Sequence, residues 1–278
     1  MSTQSAPIFF TNRSDLHPYQ LDASVYSEPM LAYERHGEGD PVVLVHGITE
    51  SRRAWDPLIP ELASRYDVVA LDLRGHGEST SAGPFDMMTM TTDVGELVAH
   101  LGLDRPLMVG HSLGGVVVSA YATQFECRGV INVDQSMALW SFKELLAPFE
   151  AAFKGSPDQF NEAITFMFSM MRGSLDDASW HRISELRRAD QSVVLGVWSV
   201  VFESSVADLN EIVDRVARAI TVPYLAIHGF DPGPDYAPWL TGLVPTARVE
   251  ISDGDGHYPH LVQAEKFIER LRQFDESL

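Results

Sequence analysis

Ser112 stands in the stretch "GHSLG", with Gly110 two positions before it and Gly114 two positions after it. A serine hydroxyl acts as a nucleophile only when a base takes its proton, and it meets a substrate carbonyl only when the backbone exposes it. The spacing Gly-x-Ser-x-Gly serves the second need. The run before it, "PLMVGHS", reads as a strand, and "LGGVVVSAYATQ" after it carries small and apolar residues at helical spacing. Ser112 therefore falls on a tight strand-to-helix bend, where side chains at 110 and 114 would collide with neighbouring backbone. At such a bend the hydroxyl emerges at the C-terminal end of a strand, and the helix N-terminus faces any oxyanion that forms. This is the chemistry of acyl transfer, and it requires a histidine and a carboxylate from elsewhere in the chain.

The elements that must position these groups are legible as a rhythm. "PVVLVHG" (41–47), "YDVVALDLRG" (66–75), "PLMVGHS" (106–112), "GVINVDQS" (129–136) and "VPYLAIHG" (222–229) are near-continuous apolar runs bounded by Gly, Pro or Asp. Continuous apolarity suits strands covered on both faces, as in a parallel sheet. Between them, "SRRAWDPLIPELASR", "TMTTDVGELVAHLG" and "GGVVVSAYATQFE" have helical periodicity. The alternation implies an α/β fold with a doubly wound, mostly parallel sheet. The alternating segment "MLAYERHGEG" is expected to add an antiparallel edge strand.

From Met137 to Ile220 the rhythm stops, and only helical patterns appear. Ser156-Pro157-Asp158 reads as an N-cap with Pro at the first helical position, and Ser174-Leu175-Asp176-Asp177 as a capping box. Residues 137–220 are therefore expected to form a helical cap, inserted between two strands of a core made of 1–136 and 221–278. The Met and Phe residues of "FNEAITFMFSMMRG" are read chiefly as packing. With Trp140, Trp180 and Trp198 they suggest a largely apolar substrate site.

At 278 residues the chain is long enough for a substantial core. Its 39 acidic against 20 basic residues, a net charge of -19, disfavour nucleic acid and anionic membrane surfaces as partners. There is one cysteine, Cys127, so no intramolecular disulfide forms, which suits a reducing compartment. The stretch "MSTQSAPIFFTNRSD" has no basic region followed by a long apolar run, no stretch of about 18 apolar residues occurs, and a cytoplasmic protein is expected. Without a leader the sequon at Asn12 carries no weight. No cluster of Cys, His and carboxylates has metal-ligand spacing, so neither a metal nor a cofactor is expected.

Taken in order, "VVLVHGITES" (42–51), "VVALDLRGHGEST" (68–80), "VGHSLGG" (109–115) and "GDGHYPHLVQAEKF" (254–267) resemble the α/β-hydrolase family, in its capped esterase, lactonase and haloperoxidase-like branch. The resemblance spans roughly residues 30–275. It implies that His257 is the base, with His260 the nearest competitor. The acid, by the same resemblance, follows the strand "VPYLAIHG"; the usual position is occupied by Pro232, and Asp231 comes one residue earlier. Asp231 is therefore favoured, and Asp134 in "INVDQS" is the alternative, since some dehalogenase-like members keep their acid there. The backbone N–H groups of Ile48 and Leu113 would form the oxyanion hole, and His46, Gly47 and His111 would shape the substrate site. A serine at the bend argues against epoxide-hydrolase and dehalogenase chemistry, which the family performs with aspartate there. The expected function is hydrolysis of an ester, lactone or related acyl compound through an acyl-enzyme on Ser112. Hydrolysis of a C–C bond and perhydrolysis use the same residues. A ligand-binding receptor, or a lyase, on a hydrolase scaffold is the alternative of a different class.

Overall fold

The apolar runs pair into one seven-stranded sheet in a computed structural model that describes residues 31–278. The N-terminal stretch read above for a leader, and the Asn12 sequon, lie outside the described residues. The strands are β1 (Tyr33–His36), β2 (Asp40–Val45), β3 (Tyr66–Leu71), β4 (Leu107–His111), β5 (Gly129–Val133), β6 (Tyr224–His228) and β7 (Ala247–Ile251). Their order is β1-β3-β2-β4-β5-β6-β7, with only β1 antiparallel, at the edge beside β3.

Successive residues of each strand feed two different cores. Val43, Val45, Val69, Leu71 and Met108 point to one face, whereas Val42, Leu44, Val68, Ala70 and Val109 point to the other. Both faces are covered, which is why the strands read as unbroken apolar runs rather than as alternating ones. On the second face lie Trp55 in a 3-10 turn (Arg52–Trp55), Leu58, Leu62 at the end of the short helix α1 (Ile59–Leu62), and Phe267 and Leu271 of the closing helix. The helical periodicity of "SRRAWDPLIPELASR" thus resolves into two short turns. On the first face lie α2 (Met87–His100) and α3 (Leu113–Tyr121).

Between β5 and β6 the chain runs through α4 (Leu139–Leu146), α5 (Glu150–Phe153), α6 (Pro157–Ser169), α7 (Asp177–Leu186), α8 (Gln191–Glu203) and α9 (Val206–Ala219), with no strand. Ser156 caps α6 in a full capping box with Gln159 and Pro157 at the first turn. The capping box read at Ser174 does not form. Asp176 is the N-cap of α7, accepting from the Ala178 and Ser179 amides, while the Ser174 hydroxyl is drawn off to the Gly254 carbonyl at 2.6 Å. Phe160, Met167 and Phe168 of α6 are buried, as is Trp198 of α8, and they join the same apolar cluster that lies under the sheet. The insert is therefore packed continuously with the body. After β6 come α10 (Tyr236–Leu243), then β7, α11 (Pro259–Val262) and α12 (Ala264–Asp275).

The strand order turns at β2 and β4: β3 lies to one side of β2, and the chain then crosses to β4 on the other. Ligands of open α/β sheets bind outside the carboxyl ends of the strands at such a switch point. Both the loop after β2 and the bend after β4 meet there.

Candidate active site

Ser112 sits at the bend with φ 52° and ψ -120°, a conformation that L-residues rarely adopt and that costs on the order of 1–3 kcal/mol. The flanking glycines make it possible. A Cβ on Gly110 would lie 2.1 Å from the Gly114 carbonyl oxygen, and one on Gly114 would lie 2.1 Å from the Val45 oxygen. The Ser112 amide donates to the Val133 carbonyl at 3.0 Å, which ties the bend to the end of β5.

One residue beyond Val133 is Asp134, and its side chain meets His257. Asp134 Oδ2 lies 2.7 Å from His257 Nδ1, while Oδ1 accepts from the Gly229 amide at 2.7 Å. The carboxylate therefore holds the proton on Nδ1 and leaves Nε2 as the nitrogen with a free lone pair. Burial disfavours charge on Asp134, yet the His257 hydrogen bond and charge, with the Gly229 amide, keep its carboxyl below the ordinary value. Burial also pushes the His257 imidazole below its ordinary value, against the pull of Asp134. A neutral imidazole backed by an ionised acid is the pairing that general-base chemistry needs.

The preference for Asp231 is corrected by this geometry. Asp231 is exposed, and its Oδ1 accepts from the Gly233 amide at 2.8 Å in a turn of its own loop. The chain leaves β6 outward after Gly229, because Gly229 packs directly on Gly256, the residue before His257. Asp134 instead turns inward, at φ 51°. His260, the competing imidazole, lies buried in α11 against Trp55 and His111, with Nδ1 unpartnered among the described residues.

The loop after β2 brings a second set of groups. An ideal Cβ on Gly47 would lie 3.1 Å from Ser112 Cβ, so this peptide runs alongside the serine. The Gly47 carbonyl accepts from His46 Nδ1 at 2.7 Å and from the Glu50 amide at 3.2 Å. The Gly47 amide donates to Glu50 Oε2 at 3.1 Å. The Gly47–Ile48 peptide is thereby held from the carbonyl side, which turns the Ile48 N–H the opposite way. Neither the Ile48 nor the Leu113 N–H has an acceptor among the described residues.

His46 and His111, expected to shape the substrate site, act on it through hydrogen bonds to its backbone. His46 Nε2 accepts from the Leu73 amide at 3.0 Å, so Nδ1 must carry the hydrogen that goes to Gly47. His111 faces acceptors from both nitrogens, the His257 carbonyl at 2.7 Å and Glu50 Oε2 at 3.3 Å. Both side chains are buried, and neither offers a ring nitrogen to a ligand. Among the described residues no group of three or more His, Cys, Asp or Glu side chains is arranged to hold a metal ion.

A family model described as "Alpha/beta hydrolase family" matches residues 42–270. The chain belongs to this family. The hydrolase is 30% identical over 265 residues to a protein named "Non-heme haloperoxidase" from Rhodococcus erythropolis, covering 88% of this chain and 95% of the relative. It is 46% identical to a "Soluble epoxide hydrolase" from a Corynebacterium species, but over 91 residues only, 32% of each chain. Among solved structures it is similar to the enol-lactonase from Burkholderia xenovorans LB400, with a TM-score of 0.70, 20% identity, and coverage of 88% of this chain and 95% of that one.

In this hydrolase the insert grips the histidine loop. The His257 amide donates to the Met171 carbonyl at 2.9 Å, and the Ser174 amide donates to the Gly254 carbonyl at 3.1 Å. Arg187, just after α7, donates from Nη2 to the Tyr258 hydroxyl at 2.6 Å, and that hydroxyl donates to Glu50 Oε1 at 2.8 Å. Glu50 and Arg187 escaped the sequence reading, since a charged residue in a loop is ordinarily solvated, and Tyr258 because nothing in its own segment shows the partners of its hydroxyl. The one cue was that Glu50 closes the turn "HGITE" directly after the apolar run "PVVLV". Of the insert's tryptophans, Trp198 is buried among Phe142, Phe153 and Phe202, and Trp180 lies under Arg187. Trp140 is half-buried, edge-on to Trp239.

Proposed function

We propose that the hydrolase cleaves a carboxylic ester or lactone through an acyl-enzyme on Ser112. The observation that carries this reading is the 2.7 Å contact of Asp134 with His257 Nδ1, at the C-terminal ends of the central strands where the strained Ser112 stands. In the first step His257 Nε2 takes the Ser112 proton, and Oγ adds to the carbonyl carbon. The oxyanion accepts hydrogen bonds from the Ile48 and Leu113 amides, which lack other acceptors among the described residues. Its collapse expels the leaving alkoxide, which receives the proton from Nε2. Water, deprotonated by the same nitrogen, then attacks the ester on Ser112 and releases the acid. Donors of this kind contribute about 3–4 kcal/mol of transition-state stabilisation each.

Hydrolysis by this route needs only these side chains and water, so the reading calls for no cofactor. The substrate is a small molecule, in keeping with a chain whose charge of -19 repels polyanions. A cytoplasmic setting belongs to the same reading. Likeness to a protein named non-heme haloperoxidase favours one second reading, perhydrolysis, in which hydrogen peroxide replaces water in the second step and yields a peracid.

The test is labelling with a fluorophosphonate, followed by peptide mapping, beside hydrolysis of p-nitrophenyl acetate. Label on Ser112, and a loss of about 10⁴-fold or more in turnover in Ser112→Ala, are expected. Label elsewhere, or turnover that survives Ser112→Ala, overturns the reading. Peracid formation on adding peroxide would select the second one.

A further inference from the structure

Glu50 is buried, and its carboxylate sits between the two halves of the site. Its Oε2 receives the Gly47 amide at 3.1 Å, on the loop that presents the Ile48 N–H. The same oxygen lies 3.3 Å from His111 Nδ1, and His111 holds the His257 carbonyl at 2.7 Å. Its other oxygen receives the Tyr258 hydroxyl at 2.8 Å. One anion thus contacts the loop of the oxyanion amide directly and the base through one intermediary. An uncompensated buried carboxylate is costly, and its desolvation must be met by partners.

The compensating cation comes from the insert. Arg187 Cζ lies 4.2 Å from the centroid of the Phe168 ring, 4.7 Å from that of Trp180 and 5.7 Å from that of Tyr258. Its Nη2 donates to the Tyr258 hydroxyl at 2.6 Å, so it acts on Glu50 through that hydroxyl. No carboxylate pairs directly with Arg187 among the described residues. The next residue closes the seam: the Arg188 amide donates to the Thr49 carbonyl at 2.8 Å, within the same loop after β2. Around Tyr258 the insert also contributes Leu175 and Ile183 to a small apolar cluster with Ala54. Apolar contact there would seat the insert without any charge; the cation–hydroxyl–carboxylate chain does something further.

We infer that Arg187 and Glu50 are positioning residues, a buried tie through which the seated insert holds both the Ile48 amide and the His257 loop in their working geometry. This rests on the hydrolase reading above. Neither residue touches the reacting atoms; each acts through Tyr258, His111 or Gly47. The arrangement makes the cap part of the catalytic geometry rather than a lid over it, and a misplacement of about 1 Å in such groups costs on the order of 100-fold in rate.

The tie has a signature that a merely structural contact lacks. His257 is faced by Asp134, His111 and Glu50, with the Tyr258 ring edge-on to it, while His260 packs on the His111 ring. Glu50→Gln removes an anion that favours the imidazolium, so the acid limb of kcat/KM moves to lower pH. Arg187→Met keeps the stem on the aromatic rings but strips the anion of its counter-charge, so the limb moves to higher pH. The two ends of one tie thus shift the same limb in opposite directions.

The experiment measures kcat and KM for p-nitrophenyl acetate from pH 5 to 9 in the full chain. The variants are Glu50→Gln, Arg187→Met, Arg187→Lys and the double Glu50→Gln/Arg187→Met, each checked for folding by circular dichroism. Each single charge-removing variant is expected to lose about tenfold or more in kcat, with KM changed less than threefold. The lysine variant should recover part of the loss, and the double variant should lose little more than Glu50→Gln alone. Should these variants not fold, Tyr258→Phe removes only the bridging hydroxyl and is expected to lose about tenfold. Wild-type turnover through Ser112, with kcat and the acid limb unchanged in the folded variants, overturns the tie and leaves the hydrolase reading standing. Turnover indifferent to Ser112→Ala overturns that reading first, and the tie with it.

Discussion

Gly173, in the turn after α6, and Gly256, one residue before His257, meet backbone to backbone. A Cβ on Gly173 would lie 2.4 Å from the Gly256 Cα, and one on Gly256 would lie 2.5 Å from the Gly173 Cα. Both have positive φ, 56° and 74°, so a side chain is strained at either position whatever the space. The insert reaches the histidine loop closely enough to bond it only because neither residue carries a Cβ.

Gly173→Ala is therefore expected to separate the two turns and break the bond from the His257 amide to the Met171 carbonyl. A destabilisation of roughly 1–3 kcal/mol is anticipated, about 2–10 °C in Tm for a chain of this size. Turnover should fall with it. Thermal melts and ester hydrolysis measured side by side check this, and a variant with wild-type Tm and kcat would show that the contact is dispensable.

The acid can be assigned by a pair of isosteric variants. Asp134→Asn reverses the preferred hydrogen on His257 Nδ1 and should lower kcat by about 10⁴-fold. Asp231→Asn alters only an exposed turn and should stay within about twofold. An inverted pattern would restore Asp231 as the partner of the base.

In the proposed mechanism, activity needs the neutral form of His257. Burial holds its imidazole below the ordinary 6.5, although Asp134 and Glu50 pull the other way. Protonation of the base switches the enzyme off, so kcat/KM should stay level down to about pH 6.5 and fall only below it. A measured acid limb centred above 7 contradicts the assignment.

Stability should follow the other buried imidazoles. His46, His228 and His260 are lowered by burial, and His76 is pushed down to about 4. In the unfolded chain these groups take up protons from about pH 6.5 downward, before the folded protein does. The unfolded state then binds more protons, and stability is lost as the pH falls from 6.5 towards 4. Melts at pH 7.5 and pH 5 should differ by several degrees or more, with the lower Tm at pH 5. A flat profile across that range would rule out this account.

The local rules of the chain determined a great deal by themselves. Apolar runs with no polar alternate residue could only be strands covered on both faces, and the absence of such runs between Val133 and Tyr224 marked the all-helical insert. The bend at Ser112 was legible because its glycines answer to backbone clashes within a few residues. Which of the two candidate carboxylates, Asp231 or Asp134, meets His257 was not, because a carboxylate's partner is chosen by where strand ends lie side by side in the sheet. Asp134 and His257 are 123 positions apart, and it is the inward turn at the end of β5 that joins them. Glu50, Tyr258 and Arg187 were hidden for a related reason. Whether a charged side chain is solvated, or buried against a compensating one, depends on what the rest of the chain packs over it, and only the tertiary structure decides that.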